Sequence, residues 1–231
     1  MKRRIIVWIT VLSLVLAGVF AMNACNRKTD ENGITYQVNM PASDELYRAI
    51  ITYGEQPQDY LSRISLTKIE NGVSSIVSID PSMLVTTIDT SVVDGNGQIL
   101  QFSYAGRIFS VPVIVKYKIE FVVDGNAYRT YHVHNKEGLD KIKGLLEEEA
   151  REASGLGDEF NPDKLKLHEL LVAPQKSGYS FKGWSEEGQD ALGKVSITDN
   201  FPSIIKENIT YTAVYEPALE EIPELSAINA A

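Results

Sequence analysis

Two periodicities divide this chain. From Ile34 to Lys116 apolar and polar positions mostly alternate in short runs, the pattern of half-buried strands. Ile34–Val38 and Arg48–Tyr53 alternate, the second with Ala49, Ile51 and Tyr53 on one side. Leu61–Leu66 is less regular, and Asn71-Gly72 makes a turn before Val73–Ile79. After Pro81 the pattern resumes over Leu84–Ile88. Asp94-Gly95-Asn96-Gly97 is a turn joining Thr90–Val93 to Ile99–Tyr104, because Gly and Asn accept positive φ. Ala105-Gly106 turns again into a long strand over Ile108–Lys116. With neither Gly nor Pro at Val115-Lys116-Tyr117, that strand is expected to run on without a break.

From Tyr117 a second unit begins. Tyr117–Val123, the turn Asp124-Gly125-Asn126 and Ala127–Val133 read as a hairpin. The period then changes. Leu139, Ile142, Leu145, Leu146, Ala150 and Ala153 recur at helical spacing, with Lys143, Glu147–Glu149 and Arg151 largely on the other face. Asn135 is suited to cap this helix and Gly155 to stop it. Leu165–Leu167 and Leu170–Val172 predict a short extended or helical piece. Tyr179–Trp184 and Ile209–Tyr215 are the last strands. The order ββα then ββ is that of a β-grasp domain, so the fold class expected is mainly β, all-β followed by α+β.

The longest apolar run lies at the start. Lys2, Arg3 and Arg4 precede Ile5–Ala21, which carries no charge, and small Ala24 is followed by Cys25, the only cysteine. A basic start, an apolar run and a small residue at the cut site form an export signal. The segment resembles a bacterial lipoprotein signal, with Met22 and Asn23 where that family carries Leu and a small residue. The resemblance implies cleavage after residue 24, lipidation of Cys25, and anchoring in the cell membrane with the rest of the chain outside it. An ordinary cleaved signal or an uncleaved anchor stands as the alternative.

Charge narrows the partners. The chain of 231 residues has a formal charge of −9, and without residues 1–24 it carries 19 basic against 31 acidic residues. Such a surface argues against nucleic acid or anionic lipid. With Cys25 committed there is no disulfide framework, so each domain must stand on packing.

Two further resemblances assign modules. Ile99–Arg107 with Phe109–Val115, after Asp89-Thr90-Ser91, resembles the closing hairpin of bacterial Ig-like domains, which implies an antiparallel β-sandwich over 34–116. Pro174–Trp184, with Gly178, Tyr179, Phe181, Gly183 and Trp184, resembles the signature of the internalin-type B repeat (the Listeria–Bacteroides repeat). Glu207–Tyr215 takes the place of that family's closing strand, Tyr215 standing where Trp is common, and the helical insert 137–153 makes this copy longer. The domain plan is therefore a signal peptide at 1–24, a lipid-anchored tether at 25–33, the sandwich at 34–116, the repeat-like domain at 117–216 and a disordered acidic tail at 217–231.

Candidate chemistry is sparse. Tyr179, Phe181 and Trp184 could form a carbohydrate platform, but alternation and Gly183 favour core packing. His132 and His134 share a strand face, and a zinc site would need His168, Glu169 or Asp140 to join them. Glu147, Glu148 and Glu149 point in different directions on a helix, and Asp94–Gly97 and Asp124–Asn126 lack a full calcium-ligand series. No cofactor, metal or catalytic residue is expected. By resemblance the modules bind or adhere at a cell surface, the partner being a surface protein or a glycan. An architectural subunit of an envelope complex is the alternative, and a hydrolase accessory is a more remote one.

Overall fold

The computed structural model describes residues 27–29, 33–40, 44–186 and 194–218. The expected signal peptide, Cys25 and most of the expected tail lie outside these residues. The fold is mainly β and divides into two units, one ending at Lys116 and the next beginning at Tyr117.

Two sheets form the first unit. One is antiparallel throughout, in the order β1 (Arg27–Thr29), β2 (Thr35–Asn39), β4 (Ser65–Glu70), β5 (Val73–Ser78). β1 occupies part of the stretch expected to be a tether. The other contains β3 (Ala49–Thr52), β6 (Gln98–Tyr104) and the N-terminal part of β7 (Arg107–Val123). β6 and β7 form the expected antiparallel hairpin around Ala105-Gly106, both at positive φ. β3, however, pairs with β7 in parallel, Ala49 opposite Val113. The chain leaves β3 for the other sheet before it returns, so this pair is joined by a crossover rather than a turn.

The inner faces of the two sheets meet in one core. Tyr36, Val38 and Leu66 come from the first sheet, and Ile51, Leu100, Phe102, Phe109, Val111 and Val113 from the second. Phe102 and Phe109 stack at 5.4 Å between ring centroids, with Tyr36 edge-on to Phe109 at 5.8 Å. A short helix α1 (Pro57–Leu61) closes one end of this core with buried Tyr60 and Leu61. Its start at Pro57 explains the irregular pattern at Leu61–Leu66, where the helix ends and β4 begins.

Leu84–Ile88 and Thr90–Val93 were expected as strands and are not. A 3₁₀ turn over Pro81–Met83, capped by Asp80, leads only to an isolated bridge between Leu84 and Phe102. Asp89 then folds the backbone locally by accepting from Ser91 N at 3.0 Å, while Gln98 accepts from Asp89 N at 2.9 Å. The segment thus borders β6 through single bonds, Val85 N donating to Gln101 O at 2.8 Å, and side chains satisfy backbone groups beyond them, so no ladder forms. Ile88 is buried all the same.

The second unit is a four-stranded mixed sheet, β8 (Asn126–Val133), β7, β10 (Ile209–Pro217), β9 (Tyr179–Ser185). β10 runs parallel to β7 and antiparallel to β9, the β-grasp arrangement. β7 is a single 17-residue strand, in agreement with the uninterrupted pattern at Val115–Tyr117. Helix α2 (Lys136–Ser154) lies on the sheet with Leu139, Ile142 and Leu146 buried against Ile119, Phe121, Trp184 and Tyr211. The Asn135 side chain accepts from Gly138 N at 2.9 Å and Gly155 ends the helix at φ 67°. Pro217, expected in the tail, is the last residue of β10, and Ala218 N donates to Gly178 O at 2.9 Å.

Candidate functional site

The repeat-like motif is a packing device. Gly178 turns the chain at φ 75° into β9. Between Phe181 and Gly183 the register with β10 slips, which leaves Lys182 as the extra residue of a bulge. The slip carries Trp184, three residues beyond Phe181, onto the same face, where the two rings meet at 5.4 Å. Gly183 makes this possible. Its φ is 149°, and a Cβ there would sit 2.6 Å from Ile197 Cγ2. Trp184 is fully buried, edge-on to Phe121 at 4.9 Å, and its Nε1 donates to Leu171 O at 2.8 Å.

Tyr179 departs from the expected core role. It lies at the start of β9, opposite Pro217 and past the reach of the helical layer, so its ring is exposed, with Lys176 Nζ 5.3 Å from its centroid. Phe181 is partly buried against the core and tilts on Tyr215 at 5.7 Å.

Around Trp184 the same elements leave a groove. A second bulge, in β8, sets Phe121 opposite Arg129 and Val122 opposite Ala127, so Tyr128 is extra. Its ring stacks over Trp184 at 6.3 Å and its hydroxyl reaches Val172 O at 3.4 Å. The opposite wall is the last turn and a half of α2, with Ala150 and Ala153. Leu156, Phe160 and Leu165 complete the lining with Leu170–Val172, from and just beyond the short helix α3 (Leu167–Leu170). The cavity so formed measures about 680 Å³. Tyr128, Leu156 and Val172 are 37%, 55% and 58% exposed, so part of the apolar lining is uncovered.

Charged groups frame this groove in pairs. Arg129 donates to Tyr131 Oη at 3.2 Å and to Glu149 Oε2 at 2.8 Å; those bonds push its pKa further up. Arg151 reaches Glu148 at 3.3 Å and lies over the Phe160 ring at 5.9 Å. Asn161 accepts from Asp163 N at 3.1 Å, and Leu167 N donates to Asp199 O at 2.7 Å, which holds the 157–167 segment in place.

The other residues singled out from the sequence do not converge. Among the described residues no three His, Cys, Asp or Glu side chains are placed to hold a metal ion. Of the glutamate triplet, Glu149 pairs with Arg129 and Glu148 with Arg151. Asp94 accepts from Asn96 N at 3.0 Å within its turn, and the Asp124 carboxylate is taken up in an ion pair with Lys176 Nζ at 2.8 Å. No helix among the described residues is long and apolar enough to cross a membrane. Sequence reasoning missed Tyr128 and the 156–172 wall: a bulge is defined only by register, and register is not written in one strand. No protein-family model matches the chain, and no curated protein matches it.

Proposed function

We propose that this chain is an exported, lipid-anchored surface protein that presents two β modules, one Ig-like and one like an internalin-type B repeat, as binding or adhesion units, without catalysis. The observation that carries the reading is the succession of Lys2-Arg3-Arg4, the uncharged run Ile5–Ala21 and Cys25. The apolar groove beside Trp184 supports a binding role, because it offers uncovered side chains rather than converging acids, bases or nucleophiles.

The test is metabolic labelling with an alkyne-tagged palmitate, together with protease treatment of intact cells. Label on the native chain, none on Cys25→Ser, and digestion from outside are expected. An unlabelled native chain, or one protected from protease until cells are lysed, overturns the reading. A second reading, a subunit of an envelope assembly, draws on Leu145, which is 60% exposed amid the charged face of α2. Loss of crosslinked envelope proteins on Leu145→Glu would favour it. Deleting 137–153 would instead remove core residues Leu139, Ile142 and Leu146.

A further inference from the structure

The groove carries more than a generic binding role, and what it carries rests on the binding reading above. We infer that it takes a basic, apolar segment of a partner protein, with apolar side chains on the floor and Lys or Arg toward the rim.

The apolar part follows from what is left uncovered. Tyr128, Leu156 and Val172 line one concavity together with Phe160, Leu165 and Leu170. Tyr128 stacks on the buried Trp184 and Leu171 O accepts from its Nε1, so this side of the groove is backed by core and is preformed.

The basic part follows from charge. Residues 147–169, which supply most of the lining, contain 8 Asp or Glu and 3 Lys or Arg; Glu149 and Glu169 line the groove itself, whereas Glu147 and Asp163 line a separate cavity. Of the three cations there, Arg151 is engaged by Glu148 and Lys166 by Asp199, which leaves Lys164, and the Arg129 that reaches in from β8 is engaged by Glu149. The rim therefore presents net negative charge to anything that enters.

That sign also decides against other occupants. A second copy would set the same acidic rim against itself. The chain's own end is no better matched, since residues 219–231 contain Glu220, Glu221 and Glu224 and no Lys or Arg. Anionic lipid and nucleic acid are repelled for the same reason.

Trp184 supplies the readout, because Tyr128 and Leu171 from the groove wall contact it directly. Trp8 is the only other tryptophan, so Trp8→Phe leaves Trp184 as the single reporter. The full chain in non-ionic detergent would be titrated with synthetic amphipathic helices of about 18 residues. One is Leu/Lys, one Leu/Glu and one Ser/Lys in the same pattern. The Leu/Lys peptide is expected to shift Trp184 emission and to bind best. Affinity should fall about tenfold or more in Leu156→Ser/Val172→Ser, whose parent side chains are exposed and not part of the core. Glu152→Lys/Glu159→Lys should weaken Leu/Lys and strengthen Leu/Glu.

Equal binding of Leu/Lys and Leu/Glu overturns the charge argument. Binding undiminished in the serine variant overturns the site. A dimer in sedimentation that the serine variant abolishes makes a second copy the occupant and overturns the partner assigned. Palmitate labelling at Cys25 is unaffected by any of these results, so failure of the groove and failure of the anchored-protein reading are told apart.

Discussion

Gly183 concentrates two constraints in one residue. Its φ of 149° is open to glycine and strained for any side chain, and Ile197 Cγ2 occupies the place of a Cβ. Gly183→Ala is expected to destabilise the second unit by about 2–5 kcal/mol, backbone strain and overpacking acting together. Ile197→Ala in the same chain should return about 1–3 kcal/mol of that loss, because only the steric part is relieved. Urea unfolding followed by Trp184 fluorescence of the four variants measures the coupling. Additive effects would mean that Ile197 moves aside freely. Trp184 itself was readable from the motif, as an aromatic after a glycine at a strand end. Its neighbour Tyr128 was not, because only pairing with β7 reveals the extra residue that turns its ring over Trp184.

At the scale of elements, Arg48 shows how a strand start is fastened to a turn. Its guanidinium bonds Asp44 at 2.7 Å and Gly95 O at 2.8 Å, and so joins the entry of β3 to the 94–97 turn. Burial of the Asp44 carboxyl pushes its pKa up. The hydrogen bonds and charge of Arg48 outweigh that and leave it below the usual carboxylate value. A depressed folded pKa means stability that is present above the unfolded value of about 3.9 and is lost as pH falls through the folded one. Asp44→Ala should therefore cost about 1–3 kcal/mol at pH 7, and the gap from the native chain should narrow below about pH 4. Denaturation midpoints across that range give the answer, and a gap that stays constant to pH 2.5, about one and a half units below the unfolded value, would remove the ion pair from the account.

Asp80, Asp89 and Asp94 are held low in the same direction by Ser82, Ser91 and Asn96. The hairpins were legible from other turns, those with glycine. Asn71-Gly72, Ala105-Gly106 and Asp124-Gly125 all take positive φ; the last two join strands placed correctly from alternation, whereas the first joins β5 to β4, which lies at Ser65–Glu70 rather than at Leu61–Leu66. Helix α2 was legible for a similar reason, with Asn135 and Gly155 marking its ends. The parallel β3–β7 pair was not, since partners separated by so much chain leave no local mark. Leu84–Ile88 misled because an alternating segment can bury its apolar side chains without entering a ladder.

Across the whole molecule the charge is not shared. Residues 1–116 contain 10 basic and 10 acidic residues, whereas residues 117–231 contain 12 and 21. Without residues 1–24 the first unit has 7 and 10, so most of the acidic excess belongs to the unit that holds the groove. A field of that size acts before contact, since it raises the rate at which cations meet the surface and is screened within about 8–10 Å in salt. Contacts between apolar side chains on the groove floor form later and are little affected by ions. The two contributions should therefore separate in kinetics. For the Leu/Lys peptide, raising NaCl from about 20 to about 300 mM should slow association by about tenfold or more, with dissociation changed by less than about threefold. The serine variant at 156 and 172 should show the reverse, with association kept and dissociation accelerated. Stopped-flow mixing read at Trp184 resolves both rates. If salt acted mainly on dissociation, the acidic residues would have to be making close ion pairs in the bound state, and the division between a steering rim and a gripping floor would be wrong.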